Sequence, residues 1–128
     1  MAGDLLDTCI IIDALRRDDR AARFIDGISS AGPCCPDVVF AELLHGCRDQ
    51  TELRRLSTIV RDRLGIAVHD AADARKAIEL LESCRLSQGM GYLDCVLAAM
   101  AIHREASLHT HNVKHFRAIP GLRLHRPY

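Results

Sequence analysis

Short apolar runs alternate with stretches of helical periodicity along the whole chain, and this alternation constrains the fold more than any other feature. Leu5-Leu6 reads as a buried strand, and the apolar residues 9–12 start the next helix. Asp18 and Asp19 supply helix-start chemistry for a segment reaching Ile25. Gly32-Pro33 and Pro36 bracket a short strand or loop around Cys34-Cys35, and Asp37 is a candidate N-cap for a helix over 38–45 that Gly46 ends. Leu53, Leu56, Ile59, Val60 and Leu64 follow helical spacing and predict a helix over 51–63, with Gly65 stopping it before a strand at 66–68. Asp70 and Asp73 open a further helix whose apolar face is expected at Ala74, Ala77, Ile78, Leu81 and Cys84. Gly89 and Gly91 break the chain before the helix carrying Asp94, which extends to about Glu105. Strands are expected at 107–110 and 122–124, with a turn or short helix at 112–116 between them. Strands alternating with helices in this way imply an α/β fold, a mostly parallel sheet covered on both faces.

With 128 residues, 48% apolar and 27% charged, the chain is expected to form one domain over residues 1–128 with an ordinary core. The longest apolar stretch, 95–102, is too short to span a membrane. Asp4, Asp7 and Asp13 interrupt the first apolar segment, so no secretory signal is expected and the chain reads as cytoplasmic. None of the six cysteines forms a C-x-x-C pair, and they read as reduced, mostly buried apolar residues.

The formal net charge is zero but unevenly distributed. Residues 1–110 hold 13 Lys and Arg against 17 Asp and Glu, whereas residues 111–128 hold Lys114, Arg117, Arg123 and Arg126 with no acid. An acidic body with a basic edge suits a polyanionic substrate. Lys114 and Arg117, with Arg123 and Arg126 beside them, are the candidates to contact the phosphates of such a polyanion.

Three carboxylates stand in apolar surroundings. Asp7 ends Leu5-Leu6-Asp7-Thr8, Glu42 interrupts a run from Val38 to Leu44, and Asp94 heads the most apolar helix of the chain. Ionised carboxylates in dry sites are costly unless compensated, and a divalent cation is a natural common partner for three of them. In open parallel sheets, sites form where carboxyl ends of strands meet helix N-termini, which is where Asp7, Asp94 and Asn112 are expected, with Glu42 reaching in from within a helix. Hard oxygen ligands suit Mg²⁺ or Mn²⁺, which polarise a phosphodiester and lower the pKa of a bound water. Asn112 would supply a neutral oxygen or a hydrogen bond to a metal-bound water, and the hydroxyls of Thr8 and Thr110 would fix the acids. This combination points to a metal-dependent phosphodiester hydrolase.

Two rival chemistries are weaker. His109 and His111 would share one side of a strand with His115 close by in sequence, but no cysteine pair completes a zinc spacing. Cys9 lies at an expected helix start, which would lower its pKa, yet no base is indicated beside it. A phosphatase using an aspartyl-phosphate would want an acid at position 9, which is Cys.

Leu5-Leu6-Asp7-Thr8, Ala41-Glu42-Leu43-Leu44-His45-Gly46, Tyr92-Leu93-Asp94 with Ala98-Ala99, and Thr110-His111-Asn112-Val113-Lys114-His115-Phe116 together resemble the successive motifs of PIN-domain ribonucleases. The closing Ile119-Pro120-Gly121-Leu122-Arg123-Leu124 extends the resemblance to the VapC-type toxins of bacterial toxin–antitoxin pairs. It implies a three-layer α/β/α sandwich and a Mg²⁺- or Mn²⁺-dependent endoribonuclease. It also implies a homodimer, in a heterotetramer or larger assembly with a cognate antitoxin whose C-terminal segment lies across the active-site groove. The family's acids map onto Asp7, Glu42 and Asp94, with Asn112 at the fourth position. Cys9 stands where these proteins commonly have Asn, and Asn112 and His115 stand where some carry further aspartates, so one cation is expected rather than two. The alternative from another class is a PIN-like module that binds RNA or a peptide without cutting.

Overall fold

Five short strands, all parallel and in the order β3-β2-β1-β4-β5, form the sheet that the computed structural model shows among its described residues, 3–128. β1 (Leu5–Leu6) lies at the centre, flanked by β2 (Cys34–Pro36) and β4 (Ser107–His109), with β3 (Gly65–Ala67) and β5 (Arg123–His125) at the edges. Successive strand residues point to opposite faces. Leu5 and Leu6 are both fully buried, as are Leu108 and, nearly so, His109, so both faces of the sheet are covered. The architecture is the expected α/β one, with helices over a parallel sheet.

Seven α-helices fill the connections among the described residues. α1 (Thr8–Leu15) and α2 (Asp19–Gly27) lead to β2, and α3 (Asp37–His45) and α4 (Gln50–Arg63) lead to β3. α5 (Ala71–Gln88) and α6 (Tyr92–Arg104) pack as a hairpin before β4, and α7 (Val113–Phe116) precedes β5. Side-chain caps start several of them. Asp18 accepts from the backbone N–H of Arg20, and Asp49 from that of Glu52. Asp70 and Asp73 close a reciprocal capping box at the start of α5, at 2.9 and 3.0 Å. No helix among the described residues is long and apolar enough to cross a membrane.

Three local expectations need correction. Asp37 is the first residue of α3 rather than its cap, a place held by the extended Pro36; its carboxylate accepts from the Val38 N–H and from His69. Gly65 does not end α4, because Leu64 already leaves the helix in extended backbone and Gly65 begins β3. The inward face of α5 is Asp73, Ala77, Leu80 and Cys84, with Ile78 exposed. The six cysteines are free thiols, as expected; Cys35, Cys84 and Cys95 are buried and the other three half-buried.

Chain direction across the sheet reverses between β1 and β4. From β1 the chain steps outward to β2 and β3, then returns past β1 to β4 and β5. The carboxyl ends of adjacent strands lead away to opposite sides there, leaving a crevice where such sheets bind ligands. Asp7 follows β1 and Thr110 follows β4, so the crevice opens beside both.

Candidate functional site

Asp7 stands at the end of the central strand and is held from three directions. Its own N–H donates to the carbonyl of His109, continuing the β1–β4 ladder by one residue. Its carboxylate caps α1, with Oδ1 accepting from the Thr8 N–H at 2.8 Å. Its other oxygen, Oδ2, accepts from the Thr110 hydroxyl at 2.8 Å. Thr110 is fully buried, and its hydroxyl oxygen also accepts from the Asn112 N–H at 3.0 Å.

Glu42 and Asp94 are brought to the same place by different elements. The Thr8 hydroxyl donates to Glu42 Oε2 at 2.7 Å, tying α3 to the start of α1. Asp94 lies in the first turn of α6, where its Oδ2 accepts from the Gly91 N–H at 3.3 Å and from Nε2 of His115 at 2.9 Å. Burial pushes the Asp7 carboxyl above its ordinary value of 3.8, and the donations from Thr110 and Thr8 oppose this; the negative charges of Asp94 and Glu42 then raise it further. The three acids therefore share one electrostatic neighbourhood.

Apolar neighbours in sequence do not make all three sites dry. Glu42 is exposed and the Asp94 side chain is 41% exposed, whereas Asp7 is partly buried and burial raises its pKa. On a helix the residues next to Glu42 project to other sides, and Leu43 takes the core position beside it. As the side chains stand, no three His, Cys, Asp or Glu among the described residues form a closed metal-ligand set. Asp7, Glu42 and Asp94 nonetheless present the hard oxygen donors that a small divalent cation takes, and the cost of ionising Asp7 beside the other two acids is what such a cation would offset.

Other expected residues divide clearly. The Asn112 side chain is exposed and makes no hydrogen bond among the described residues; its backbone N–H organises Thr110 instead. Lys114 and Arg117 are exposed and form no ion pair among the described residues. Arg123 and Arg126 are pinned to backbone carbonyls, of Glu105 and of His111 and Tyr128.

The histidines of the zinc rival part company. β4 ends at His109, which lies between Asp4 and His125 under the ring of Phe24, whereas His111 beyond the strand turns to Asp13 and packs edge-on against Tyr128. Burial raises the Cys9 thiol instead of the helix start lowering it, which disfavours the thiolate a nucleophile needs. Sequence reasoning missed the contact of His115 with Asp94, because a histidine three residues past an Asn carries no periodic signal. It also missed a groove of about 930 Å³ between α1, α2 and α4, lined by Ile11, Leu15, Ile25, Ile59, Val60 and Leu64 among others. None of the three acids lines that groove.

Comparison with known proteins agrees with the fold. A chain of VapBC2 from Rickettsia felis, solved bound to a promoter DNA fragment, is 26% identical, with a TM-score of 0.82 over 94% of this chain and 96% of its own. DNA-bound VapBC from Salmonella typhimurium has a TM-score of 0.82 at 22% identity, covering 100% of both chains. VapBC-1 from nontypeable Haemophilus influenzae has a TM-score of 0.74 at 22% identity, covering 96% of each. No curated protein matches. The model of the PIN domain matches residues 5–122, from the strand that delivers Asp7 to the approach to β5, and the chain belongs to the PIN domain family.

Proposed function

We propose that this chain, acting over residues 1–128 as one nuclease domain, is a Mg²⁺- or Mn²⁺-dependent endoribonuclease and the toxin of a toxin–antitoxin pair. The observation that carries the reading is Asp7, a carboxylate that caps α1 at the switch point of the sheet and whose pKa is raised by burial and by the charges of Asp94 and Glu42. Asp7, Glu42 and Asp94 would hold the cation, with Asn112 free to offer a neutral oxygen. When bound, the cation would polarise a phosphodiester and lower the pKa of a water.

The protein groups have separate tasks. Thr110 and Thr8 orient Asp7 and Glu42 through the hydroxyl bonds described, and His115 fixes one oxygen of Asp94. A carboxylate beside the attacking water orients it or takes its proton. Lys114 and Arg117, exposed beside His115, bind flanking phosphates. The similar VapBC structures and a toxin–antitoxin complex from Klebsiella pneumoniae support an antitoxin partner. We take the chain to be homodimeric in that assembly and to work in the cytoplasm. The groove between α1, α2 and α4, whose lining mixes apolar side chains with Arg17, Asp19, Asp26, Arg55 and Arg63, offers such a partner both apolar and charged contacts.

Incubation with an RNA mixture tests the chemistry. Cleavage should require Mg²⁺ or Mn²⁺, stop with chelator and be lost in Asp7→Asn. Bound but intact RNA under all metal conditions would mark a non-catalytic binding module instead. Expression of the wild-type chain alone should arrest growth, with rescue by the product of the neighbouring gene; equal toxicity of wild type and Asp7→Ala would detach the phenotype from this site.

A further inference from the structure

Between β4 and α7 the chain runs through Thr110, His111 and Asn112 outside any helix or strand, and this short segment carries the hydroxyl that binds Asp7. A threonine hydroxyl has one proton to give and two lone pairs. The Asn112 N–H, donating at 3.0 Å, takes one lone pair, and the proton goes to Asp7 Oδ2 at 2.8 Å. The backbone of Thr110 is still fastened to the sheet, its N–H donating to the carbonyl of His125. Asn112 lies beyond that support, so its place depends on His111.

His111 is gripped by two pieces of chain. From α1, Cys9 Sγ accepts the His111 N–H at 3.5 Å, and Asp13 Oδ2 faces ring Nε2 at 3.1 Å. Cys9 and Asp13 are four residues apart and share one face of that helix. From segment 126–128, Arg126 donates to the His111 carbonyl at 3.2 Å, and the ring of Tyr128 packs edge-on at 4.6 Å between centroids. The two pieces meet at Asp13, whose Oδ2 also accepts from the Tyr128 hydroxyl at 2.8 Å. The hydrogen bonds of Tyr128 and His111 hold the Asp13 carboxyl below its ordinary value of 3.8, as an ionised acceptor. Ring Nδ1 of His111 is buried with no partner among the described residues. An unpaired buried nitrogen is a cost, so the ring is not seated here to satisfy itself. What the seat provides is a fixed 110–112 segment. Because α1 begins at its cap Asp7, the Asp7–Thr110 and Asp13–His111 bonds are two rungs between the same helix and the same segment.

We propose that Asp13 is a positioning residue of the acidic site. By clamping His111 to α1 together with Tyr128, it keeps the Asn112 amide on the Thr110 hydroxyl and so aims that hydroxyl at Asp7. This rests on the metal-binding reading above and deepens it: the cation's affinity depends on a carboxylate six residues along α1 that never touches it.

Mn²⁺ binding to the folded chain without RNA, followed by electron paramagnetic resonance well below the melting temperature of each variant, tests the clamp. Asp13→Ala should weaken Mn²⁺ binding about 2- to 30-fold, the span of a coupling carried through intervening residues. Asp13→Asn, which keeps an oxygen for both donors, should bind like wild type. Tyr128→Phe removes one of the two donors and should shift affinity in the same direction, so it reads the clamp even if Asp13→Ala does not fold. Thr110→Val, which removes the hydroxyl itself, should weaken binding about 10- to 100-fold. Adding Asp13→Ala to Thr110→Val should then lower the melting temperature further but leave Mn²⁺ affinity where Thr110→Val put it. Wild-type affinity in both Asp13→Ala and Tyr128→Phe, with only their melting temperatures lowered, makes Asp13 a structural brace and overturns the proposal while leaving the nuclease reading intact. A full additional loss of affinity in the Thr110→Val background overturns it equally, since the effect then bypasses Thr110. A wild-type chain that binds no Mn²⁺ overturns the metal-binding reading, and the proposal falls with it.

Discussion

Asp7 is both a helix cap and an ionised group in a costly place, and the two roles respond differently to substitution. Its pKa is raised above 3.8 in the folded chain, so the folded state holds the proton more tightly than the unfolded one. The corresponding stability is present below pH 3.8 and lost as pH rises through the folded pKa, leaving the ionised form a burden at neutral pH. Asn keeps the cap and sheds the charge. Without added cation, Asp7→Asn should therefore melt above wild type at pH 7, with the gain shrinking as the pH approaches 3.8 in a series of thermal melts. Asp7→Ala loses the cap and should fall below Asp7→Asn by about 1 kcal/mol in urea unfolding. A wild type that melts above Asp7→Asn at pH 7 would show that the hydrogen bonds of Thr110 and Thr8 outweigh the burial. The acids were legible in the sequence because each interrupts an apolar run, but that signal overstated how dry they are. It counts neighbours along the chain, whereas exposure at Glu42 depends on the helix face, and Leu43 rather than Glu42 faces the core.

At the scale of elements, the α5–α6 hairpin shows what binds a helix pair beyond apolar contact. Asp73 is buried, closes the cap of α5 and takes Nδ1 of His103 on α6 at 2.6 Å. Asp73→Ala should cost about 2–3 kcal/mol in equilibrium unfolding, from the lost cap and the severed charge-assisted bond together. Asp73→Asn, which keeps both geometries, should cost less. The opening of α5 was readable from Asp70 and Asp73, and Ala77 and Cys84 of its inward face were too, but Leu80 was not. Ala74, Ile78 and Leu81 make as plausible an apolar stripe as Ala77, Leu80 and Cys84. The choice between them is fixed by long-range partners such as His103, which periodicity does not contain. Segment 126–128 is a second example: Tyr128 and His111 converge on Asp13 of α1, and Arg126 grips the carbonyl of His111. Tyr128→Phe removes one hydrogen bond to a carboxylate and should lower stability by about 1–2 kcal/mol in the same assay, with secondary structure unchanged by circular dichroism.

For the molecule as a whole, charge placement matters more than net charge. If Lys114 and Arg117 each neutralise one phosphate of a single strand, replacing either with Ala in the Asp7→Asn background should reduce the salt slope of RNA binding by about 0.7. Arg123→Ala, whose guanidinium is already committed to the Glu105 carbonyl, should change it less. An unchanged slope in the Lys114→Ala, Arg117→Ala pair would move the phosphate path elsewhere. The parallel sheet was legible from the alternation of elements, but the strand order was not, since the return of β4 to the far side of β1 leaves no local trace. That return has a consequence in time. β1 is synthesised well before its neighbour β4, and the Thr110 that holds Asp7 comes more than a hundred residues after it. All three acids leave the ribosome before that strand, at 5–20 residues per second on the order of 2–6 s before β5 is complete. The chain thus carries its acids early and its geometry late. On the toxin reading proposed above, an antitoxin that binds during synthesis would meet the chain before its acids are gathered into one site.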